Sequence, residues 1–181
     1  MAFILKKTCA LVGMMGAGKT AVGTALARHI GVEFRDSDTE IELAANMNIA
    51  EIFSRDGEKF FRKREAEVIS RLLIDDPCIL STGGGAFLST TTRNAISKKG
   101  VSVWLKADLD LLWARVRHKD TRPLLRTANP RETLRQLCQI REESYRQADL
   151  VVNARPDYSI NDMAEVVAKA LLQRPDILDG P

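Results

Sequence analysis

Cysteine and histidine are scarce in this sequence, whose 181 residues include three cysteines and two histidines. Cys9, Cys78 and Cys138 lie far apart and form no Cys-x-x-Cys or Cys/His spacing. This excludes the common zinc-binding patterns and a disulfide framework, so we expect buried, reduced thiols. His29 and His118 have no cysteine or histidine at ligand spacing, which argues against a metal site built on either.

Long apolar runs and a large net charge are also missing. No stretch of about 18 consecutive apolar residues occurs, which excludes a membrane-spanning helix. The first lysines follow the first apolar run instead of preceding it, which does not fit a secretory signal. The formal net charge of +3 is too small to indicate binding to nucleic acid or to a membrane surface. We therefore expect a cytoplasmic monomer that has no obligate protein partner.

Short apolar runs alternate along the chain with longer segments of helical period. This alternation is typical of a parallel sheet covered by helices on both faces, an α/β fold in three layers. We expect one domain over residues 1–181, with a lid at about 118–130 and a frayed tail at about 174–181. The predicted strand runs are 9–13, 32–34, 78–81, 101–105 and 150–152, and the helical segments after them are 19–30, 38–73, 89–99, 108–117 and 159–173.

Residues 13–20 read GMMGAGKT and match the pattern G-x-x-x-x-G-K-[ST] between an apolar run and a helix. Glycines let backbone N–H groups turn toward phosphate oxygens, and the start of the helix adds its positive end. In such a P-loop Lys19 reaches the β- and γ-phosphates and the Thr20 hydroxyl binds Mg²⁺. A glycine-rich turn without a ligand would explain neither residue. The predicted nucleotide-binding residues of the P-loop are Gly13, Met14, Met15, Gly16, Ala17, Gly18, Lys19 and Thr20.

Two features of nucleotide-hydrolysing proteins are missing from the rest of the chain. No NKxD-type segment is present to read guanine. The strand run at 78–81 continues into TGGGA, whereas motor and remodelling ATPases usually place an Asp or Glu at the end of such a strand. The sequence therefore favours phosphoryl transfer to a bound acceptor over hydrolysis.

An acidic pair, Asp36 and Asp38, follows the second strand run. In an extended segment side chains two residues apart face the same side, so both carboxylates could reach one site. One could hold Mg²⁺ while the other accepts a proton from an acceptor hydroxyl. Alternatively Asp36, Ser37 or Asp38 only caps the helix that begins near Thr39. The residues alone leave both interpretations open.

Four further segments supply candidate site residues, each with a plain structural alternative. Arg62 and Glu65 are three residues apart on a predicted helix, either as a surface ion pair or as an arginine held ready for a carboxylate. The glycines at 83–85 follow a strand run, either as a loose turn or as backbone that a ligand approaches closely. Arg122 in the non-periodic segment is a candidate mobile cation. Arg146 near a helix end reads, by itself, as a solvated residue.

Taken together, the motifs GMMGAGKT, DSD, FFRKRE, GGGA, RPLL and SYR, in this order and at these intervals, resemble those of the shikimate kinase family. The resemblance runs from about Leu11 to Asp157. It implies a P-loop kinase fold similar to that of nucleoside monophosphate kinases, with a five-stranded parallel sheet flanked by helices. It also implies phosphorylation of the 3-hydroxyl of shikimate by MgATP, a step of chorismate and aromatic amino acid biosynthesis.

The resemblance implies roles for residues on the acceptor side. Asp38 would bind the shikimate hydroxyls and act as the base or orient the nucleophile, with Asp36 on the metal side. Arg62 and Arg146 would clamp the carboxylate. Backbone amides would close around the ring at Gly83, Gly84 and Gly85.

On the nucleotide side, the resemblance implies that Arg122 comes down with the lid onto the phosphates. Arg115 matches the position that packs on adenine, and Arg155 lies in a segment similar to the adenine loop. The expected catalytic residues are then Lys19, Asp38 and Arg122, with Thr20 and Asp36 as the metal ligands.

Two alternative functions remain open from the sequence. A protein with this fold could instead phosphorylate another small hydroxylated acid such as gluconate, or a nucleoside monophosphate. It could also be a nucleotide-dependent regulatory protein whose acceptor site is vestigial, which would bind ATP without transferring its phosphoryl group to a small molecule.

Overall fold

The structure, a computed structural model, describes residues 2–119 and 122–181. The predicted domain and lid also include Met1, Asp120 and Thr121, which lie outside the described residues. The strands are β1 (Ile4–Leu5), β2 (Cys9–Val12), β3 (Phe34–Asp36), β4 (Ile79–Ser81), β5 (Val101–Lys106), β6 (Leu150–Asn153) and β7 (Leu178–Asp179). The helices are α1 (Lys19–Ile30), α2 (Ser37–Ala45), α3 (Ile49–Leu72), α4 (Thr90–Lys99), α5 (Leu109–Val116), α6 (Pro130–Tyr145) and α7 (Ile160–Leu172), with 3₁₀ turns at Ala86–Leu88 and Pro123–Leu125.

Five of the strands form one parallel sheet in the order β3-β4-β2-β5-β6. Strand β2 lies at its centre, with Leu11 opposite Ser81 of β4 and Val12 opposite Trp104 of β5. Every side chain of β2 is buried, because the sheet is packed between helices. This burial on both faces explains why its sequence does not alternate. The predicted α/β fold with a five-stranded parallel sheet is confirmed, and each predicted strand run overlaps one strand.

The carboxyl ends of the parallel strands meet at one edge of the sheet, where α/β proteins bind their ligands. Strand β2 leads into the P-loop, β3 ends at Asp36, and β4 leads into the glycines at 83–85. Three of the segments that carry candidate site residues are therefore brought to the same edge by strand direction alone.

The first helix begins and ends where the sequence predicts. Helix α1 starts at Lys19, directly after Gly18, and ends before Gly31. The φ angle of Gly31 is 76°, the left-handed conformation that makes glycine a favourable helix cap. The helix packs its buried side against α7, and this contact fixes the direction in which its N-terminus points toward the sheet edge.

The helical segment predicted at 38–73 is two helices. Asn46, in the left-handed conformation, ends α2, and Asn48 begins α3 with a capping box in which it and Glu51 satisfy each other's backbone N–H groups. Gly57, with a φ of 82°, interrupts the helical dihedrals of α3. Among the helices in the described ranges, α3 of 24 residues included, none has the length and apolar character needed to cross a membrane.

The tail at 174–181, expected to fray, is folded onto the domain. Strand β7 pairs antiparallel with β1, and the backbone N–H of Lys6 donates to the carbonyl of Ile177 at 2.7 Å. Ile177 and Leu178 are buried. Sequence analysis did not reveal this pairing, because the partner of the segment lies at the other end of the chain.

Candidate active site

The P-loop has the geometry that its glycines allow. Gly16 and Gly18 adopt φ angles of 83° and 97°, which residues other than glycine rarely adopt. The backbone N–H of Ala17 donates to the carbonyl of Met14 at 3.1 Å, which closes the loop above α1. The side chains of Met14 and Ala17 are buried in the core. These two residues therefore offer only their backbone to a ligand.

Lys19 lies beneath the P-loop and at the centre of the charged groups of the site. Its Nζ donates to the carbonyls of Gly13 at 2.7 Å and of Met14 at 3.0 Å. Burial lowers the pKa of Lys19 to about 8, the charges of Arg122 and Arg141 add to this, and Asp38 and Asp36 oppose it. The groups whose charges shift this pKa come from four different segments, so these segments converge near Lys19.

Arg115 braces the P-loop from α5. Its Nη1 donates to the carbonyl of Gly16 at 3.0 Å and to that of Ala17 at 3.2 Å. The structure thus places Arg115 beside the predicted nucleotide site, and its packing on adenine stays a prediction.

Asp36 and Asp38 share the site but not by the extended geometry that the sequence suggested. Asp36 ends β3 with extended dihedrals, and its Oδ1 accepts a hydrogen bond from the Thr39 backbone N–H at 3.1 Å. Asp36 is therefore the N-cap of α2, one of the two interpretations that the sequence left open. Its second carboxylate oxygen takes no part in this hydrogen bond. Asp38 already belongs to the first turn of α2. Burial raises the pKa of Asp38 to about 6, with Asp36 and Glu65 adding to the shift and Lys19 opposing it.

The three glycines after β4 each leave room for a charged side chain of the site. A methyl group placed on Gly83 would lie 2.9 Å from Asp38 Oδ1, and one on Gly84 would lie 2.8 Å from Arg141 Nη1. A methyl group on Gly85 would lie 2.8 Å from Arg62 Nη1. Because no side chain intervenes, backbone, two guanidinium groups and a carboxylate are brought around the same space.

Arg62 is held by an acid that is itself buried. Its Nη1 donates to Glu65 Oε1 at 2.8 Å, and Glu65 is only 3% exposed. Burial raises the pKa of Glu65, while the hydrogen bond and the charge of Arg62 oppose that shift. Among the described residues, Glu65 Oε2 has no hydrogen-bond partner. The pair is thus more than a surface contact, and it directs the guanidinium toward Gly85.

The structure places the predicted Arg146 away from the other candidate residues of the acceptor side. Arg146 follows α6, has a side chain that is 67% exposed and pairs on the surface with Glu142 at 3.1 Å. Arg141, which is 7% exposed, instead reaches Gly84 from the buried face of the same helix. Two residues five positions apart on a helix point about 140° away from each other, so the two arginines cannot lie on the same face.

The family resemblance rested on the SYR motif, which contains Arg146, and so it did not point to Arg141. The sequence does carry a usable signal. Leu134, Arg141 and Tyr145 follow the spacing i, i+7, i+11 of one helical face, and these are the three residues of α6 that are buried. A buried arginine on the apolar face of a helix needs an anionic partner, whereas an arginine in contact with water does not.

The remaining two predicted arginines differ in their surroundings. Arg122 precedes the 3₁₀ turn Pro123–Leu125, and its charge contributes to the lowered pKa of Lys19. Its Nε is buried and lacks a hydrogen-bond partner among the described residues. Arg155 is exposed, pairs with Asp157 at 3.2 Å and lies over the Tyr158 ring at 4.7 Å. Of the two, Arg122 is the one placed beside the P-loop lysine.

The candidate metal ligands Thr20 and Asp36 offer a hydroxyl and a carboxylate oxygen. In the parts of the chain that the structure describes, no group of three or more His, Cys, Asp or Glu residues is arranged to hold a metal. Hydroxyl and carboxylate oxygens are the ligand types that Mg²⁺ takes alongside phosphates and waters, so the chemistry of these two residues fits that ion.

The chain is similar over most of its length to known proteins. A family model described as shikimate kinase matches residues 15–172. A shikimate kinase of Ruegeria pomeroyi is 63% identical over 175 residues, which are 97% of this chain and 90% of that protein. One of Cereibacter sphaeroides is 62% identical over 175 residues, with 97% and 87% of the two chains covered.

A solved structure has the same fold with a ligand in place. The shikimate kinase from Acinetobacter baumannii in complex with shikimate superposes with a TM-score of 0.85 at 37% identity, covering 92% of this chain and 93% of that chain. The family match spans most of the sequence, and the relatives are aligned over nearly their full length. On these grounds the chain belongs to the shikimate kinase family of enzymes.

Proposed function

We propose that the chain transfers the γ-phosphoryl group of ATP to the 3-hydroxyl of shikimate with the help of Mg²⁺. The observation that carries this proposal is the convergence of Asp38, Arg62 and Arg141 beside the glycines at 83–85. Lys19 is close enough to Asp38 and Arg141 for their charges to shift its pKa. Family membership and the relative bound to shikimate support shikimate as the acceptor.

The nucleotide is bound by the P-loop and α1. Backbone N–H groups and the positive end of α1 hold the phosphates, and Lys19 moves from the carbonyls of Gly13 and Met14 to the β- and γ-phosphate oxygens. Its lowered pKa of about 8 still leaves it mostly protonated at neutral pH. The ammonium therefore supplies positive charge to the phosphates during transfer.

The acceptor is bound by two guanidinium groups and a carboxylate. The planar forks of Arg62 and Arg141 suit a carboxylate ligand, which accepts paired hydrogen bonds from such groups. Asp38 faces the same space from α2 and accepts the proton of the attacking hydroxyl. Its pKa of about 6 suits this task, because the group is ionised at neutral pH yet basic enough to take up a proton.

The reaction is an in-line displacement. The acceptor oxygen forms a bond to the γ-phosphorus, the bond from that phosphorus to the bridging oxygen breaks, and ADP leaves. Thr20 and Asp36 would hold Mg²⁺, which neutralises developing charge on the phosphate oxygens when bound. Arg122 adds a further positive charge, and closure of the predicted lid excludes water that would otherwise accept the phosphoryl group.

The first experiment is ADP release with MgATP alone and with shikimate, gluconate or nucleoside monophosphates added singly. Selective stimulation by shikimate, with the product phosphorylated at its 3-hydroxyl by ³¹P and ¹H NMR, is expected. Stimulation by another acceptor alone would overturn the roles given to Arg62 and Arg141. ATP binding without turnover on any acceptor would favour the regulatory alternative.

A further inference from the structure

Tyr145, the last residue of α6, touches the glycine segment at 83–85 with its hydroxyl. The hydroxyl donates to the carbonyl of Gly84 at 2.6 Å, and the residue is 1% exposed. The Arg141 guanidinium lies one helical turn earlier on the same face and interacts with this hydroxyl. One phenol therefore joins a candidate acceptor-binding arginine to the backbone of the glycine segment.

The ring of Tyr145 also links this segment to the P-loop. Its centroid lies 5.8 Å from that of Trp104 in β5, with 32° between the ring planes. Trp104 in turn lines the first glycine of the P-loop, since a methyl group placed on Gly13 would lie 3.5 Å from Trp104 Cδ1. The aromatic pair is thus positioned between the nucleotide side and the acceptor side.

The hydrogen bond to Gly84 determines more than the position of one oxygen. A trans peptide is planar, and its C=O and N–H point in opposite directions. The carbonyl of Gly84 and the N–H of Gly85 belong to the same peptide plane. A peptide between two glycines rotates more freely than others. Fixing the carbonyl toward Tyr145 therefore directs the Gly85 N–H away from α6.

We propose that Tyr145 is a positioning residue for the acceptor, which orients the Gly84–Gly85 peptide and Arg141 so that both face the same ligand. The inference rests on the proposed function, because it concerns how the shikimate site is held. Tyr145 itself touches neither nucleotide nor acceptor. Its burial raises the pKa of the hydroxyl, which stays a hydrogen-bond donor throughout the working pH range.

The test is Tyr145→Phe, which removes the hydroxyl and keeps the ring against Trp104. With the Gly84 carbonyl unpaired and the peptide freer to rotate, we expect KM for shikimate to rise about 10-fold while KM for ATP changes less than about twofold. The control is Ile177→Val, a buried substitution in the C-terminal segment, chosen to lower the melting temperature without touching the site.

The outcomes separate this inference from the proposed function. Wild-type protein that does not phosphorylate shikimate would contradict the function itself. Wild-type turnover with an unchanged KM for shikimate in Tyr145→Phe would overturn the positioning role. So would equal increases of both KM values, or an Ile177→Val variant with the same selective loss, because each would indicate only a general loss of stability.

Amide spectra give a readout independent of turnover. In protein labelled with ¹⁵N-glycine, the Gly84 and Gly85 cross-peaks are expected to shift when shikimate is added to the wild type. In Tyr145→Phe at saturating shikimate the Gly85 peak should differ in position or broaden. A Gly85 peak identical in the two saturated proteins would contradict the proposal.

Discussion

At the scale of single residues, the site holds two charges in surroundings that disfavour them. Asp38 has its pKa raised to about 6 and Lys19 has its pKa lowered to about 8, in both cases mainly by burial. A raised carboxyl pKa means that folding becomes less favourable as pH rises from about 4 to about 6. A lowered ammonium pKa means that folding becomes more favourable as pH rises from about 8 toward 10.5. At neutral pH both ions therefore reduce stability, as is common for groups kept for catalysis.

These two pKa values predict the pH dependence of the reaction. Asp38 must be deprotonated to accept a proton, so kcat/KM for shikimate should increase with pH through about 6. Lys19 must be protonated to neutralise phosphate charge, so kcat/KM should decrease again through about 8. The measurement is kcat/KM from pH 5 to 9 at constant ionic strength and saturating MgATP. Because the negative phosphates of ATP stabilise the Lys19 ammonium, the upper limb should lie above pH 8 at saturating MgATP and nearer 8 at low ATP.

The variant Asp38→Asn tests whether Asp38 is the group whose deprotonation raises kcat/KM near pH 6. The amide keeps nearly the same shape but accepts no proton, so turnover should fall by about 100-fold or more while the dissociation constant for ATP stays close to that of the wild type. The residual activity should lose its rise near pH 6. An acidic limb that persists in this variant would assign the titration to another carboxyl group, with Glu65 the next to test.

At the scale of elements, the orientation of α6 determines which of its arginines lies beside the glycine segment. Its buried face carries Arg141 and Tyr145 toward the glycine segment, whereas Arg146 lies beside the surface residue Glu142. Charged hydrogen bonds to a carboxylate contribute about 1.5–3 kcal/mol each. Arg141→Ala should therefore raise KM for shikimate by about 10- to 100-fold. Arg146→Ala, the matched control on the same helix, should change it less than about twofold, as steady-state kinetics at saturating ATP would measure.

The opposite order of effects would restore the assignment made from the SYR motif. Arg141 is buried, so its removal also affects packing. The melting temperatures of both variants show whether a loss of stability accounts for a higher KM. Retained ATP affinity in Arg141→Ala would show that the nucleotide half of the site is intact.

At the scale of the whole molecule, the two chain ends stabilise each other through β1 and β7. Ile177 is fully buried there, so Ile177→Ala should lower the free energy of unfolding by about 2–5 kcal/mol. Ile74, which is 72% exposed, is the control, and Ile74→Ala should change that free energy by less than about 0.5 kcal/mol. Urea unfolding of both variants measures the difference. Equal, small effects would mean that the C-terminal segment frays in solution as its composition suggested.

The sequence by itself determined the features that depend on neighbours along the chain. The P-loop pattern, the glycine caps of α1 and the run of doubly buried strands are local, since each reflects backbone conformation or burial within a few residues. From these the parallel sheet, the nucleotide site and the family could be predicted before any coordinates. Asp38 and the glycines at 83–85 were also predicted, because they follow strand ends that parallel topology brings together, whereas Arg62 lies on α3 and was predicted from the family resemblance.

Only the tertiary structure decided the features that depend on which faces meet. Arg141, and not Arg146, lies beside Gly84 because α6 packs one particular side against the glycine segment. The C-terminal segment is ordered because it pairs with a strand more than 170 positions away. In both cases the deciding contact is long-range, and its energy comes from burial and hydrogen bonds that no local run of residues records.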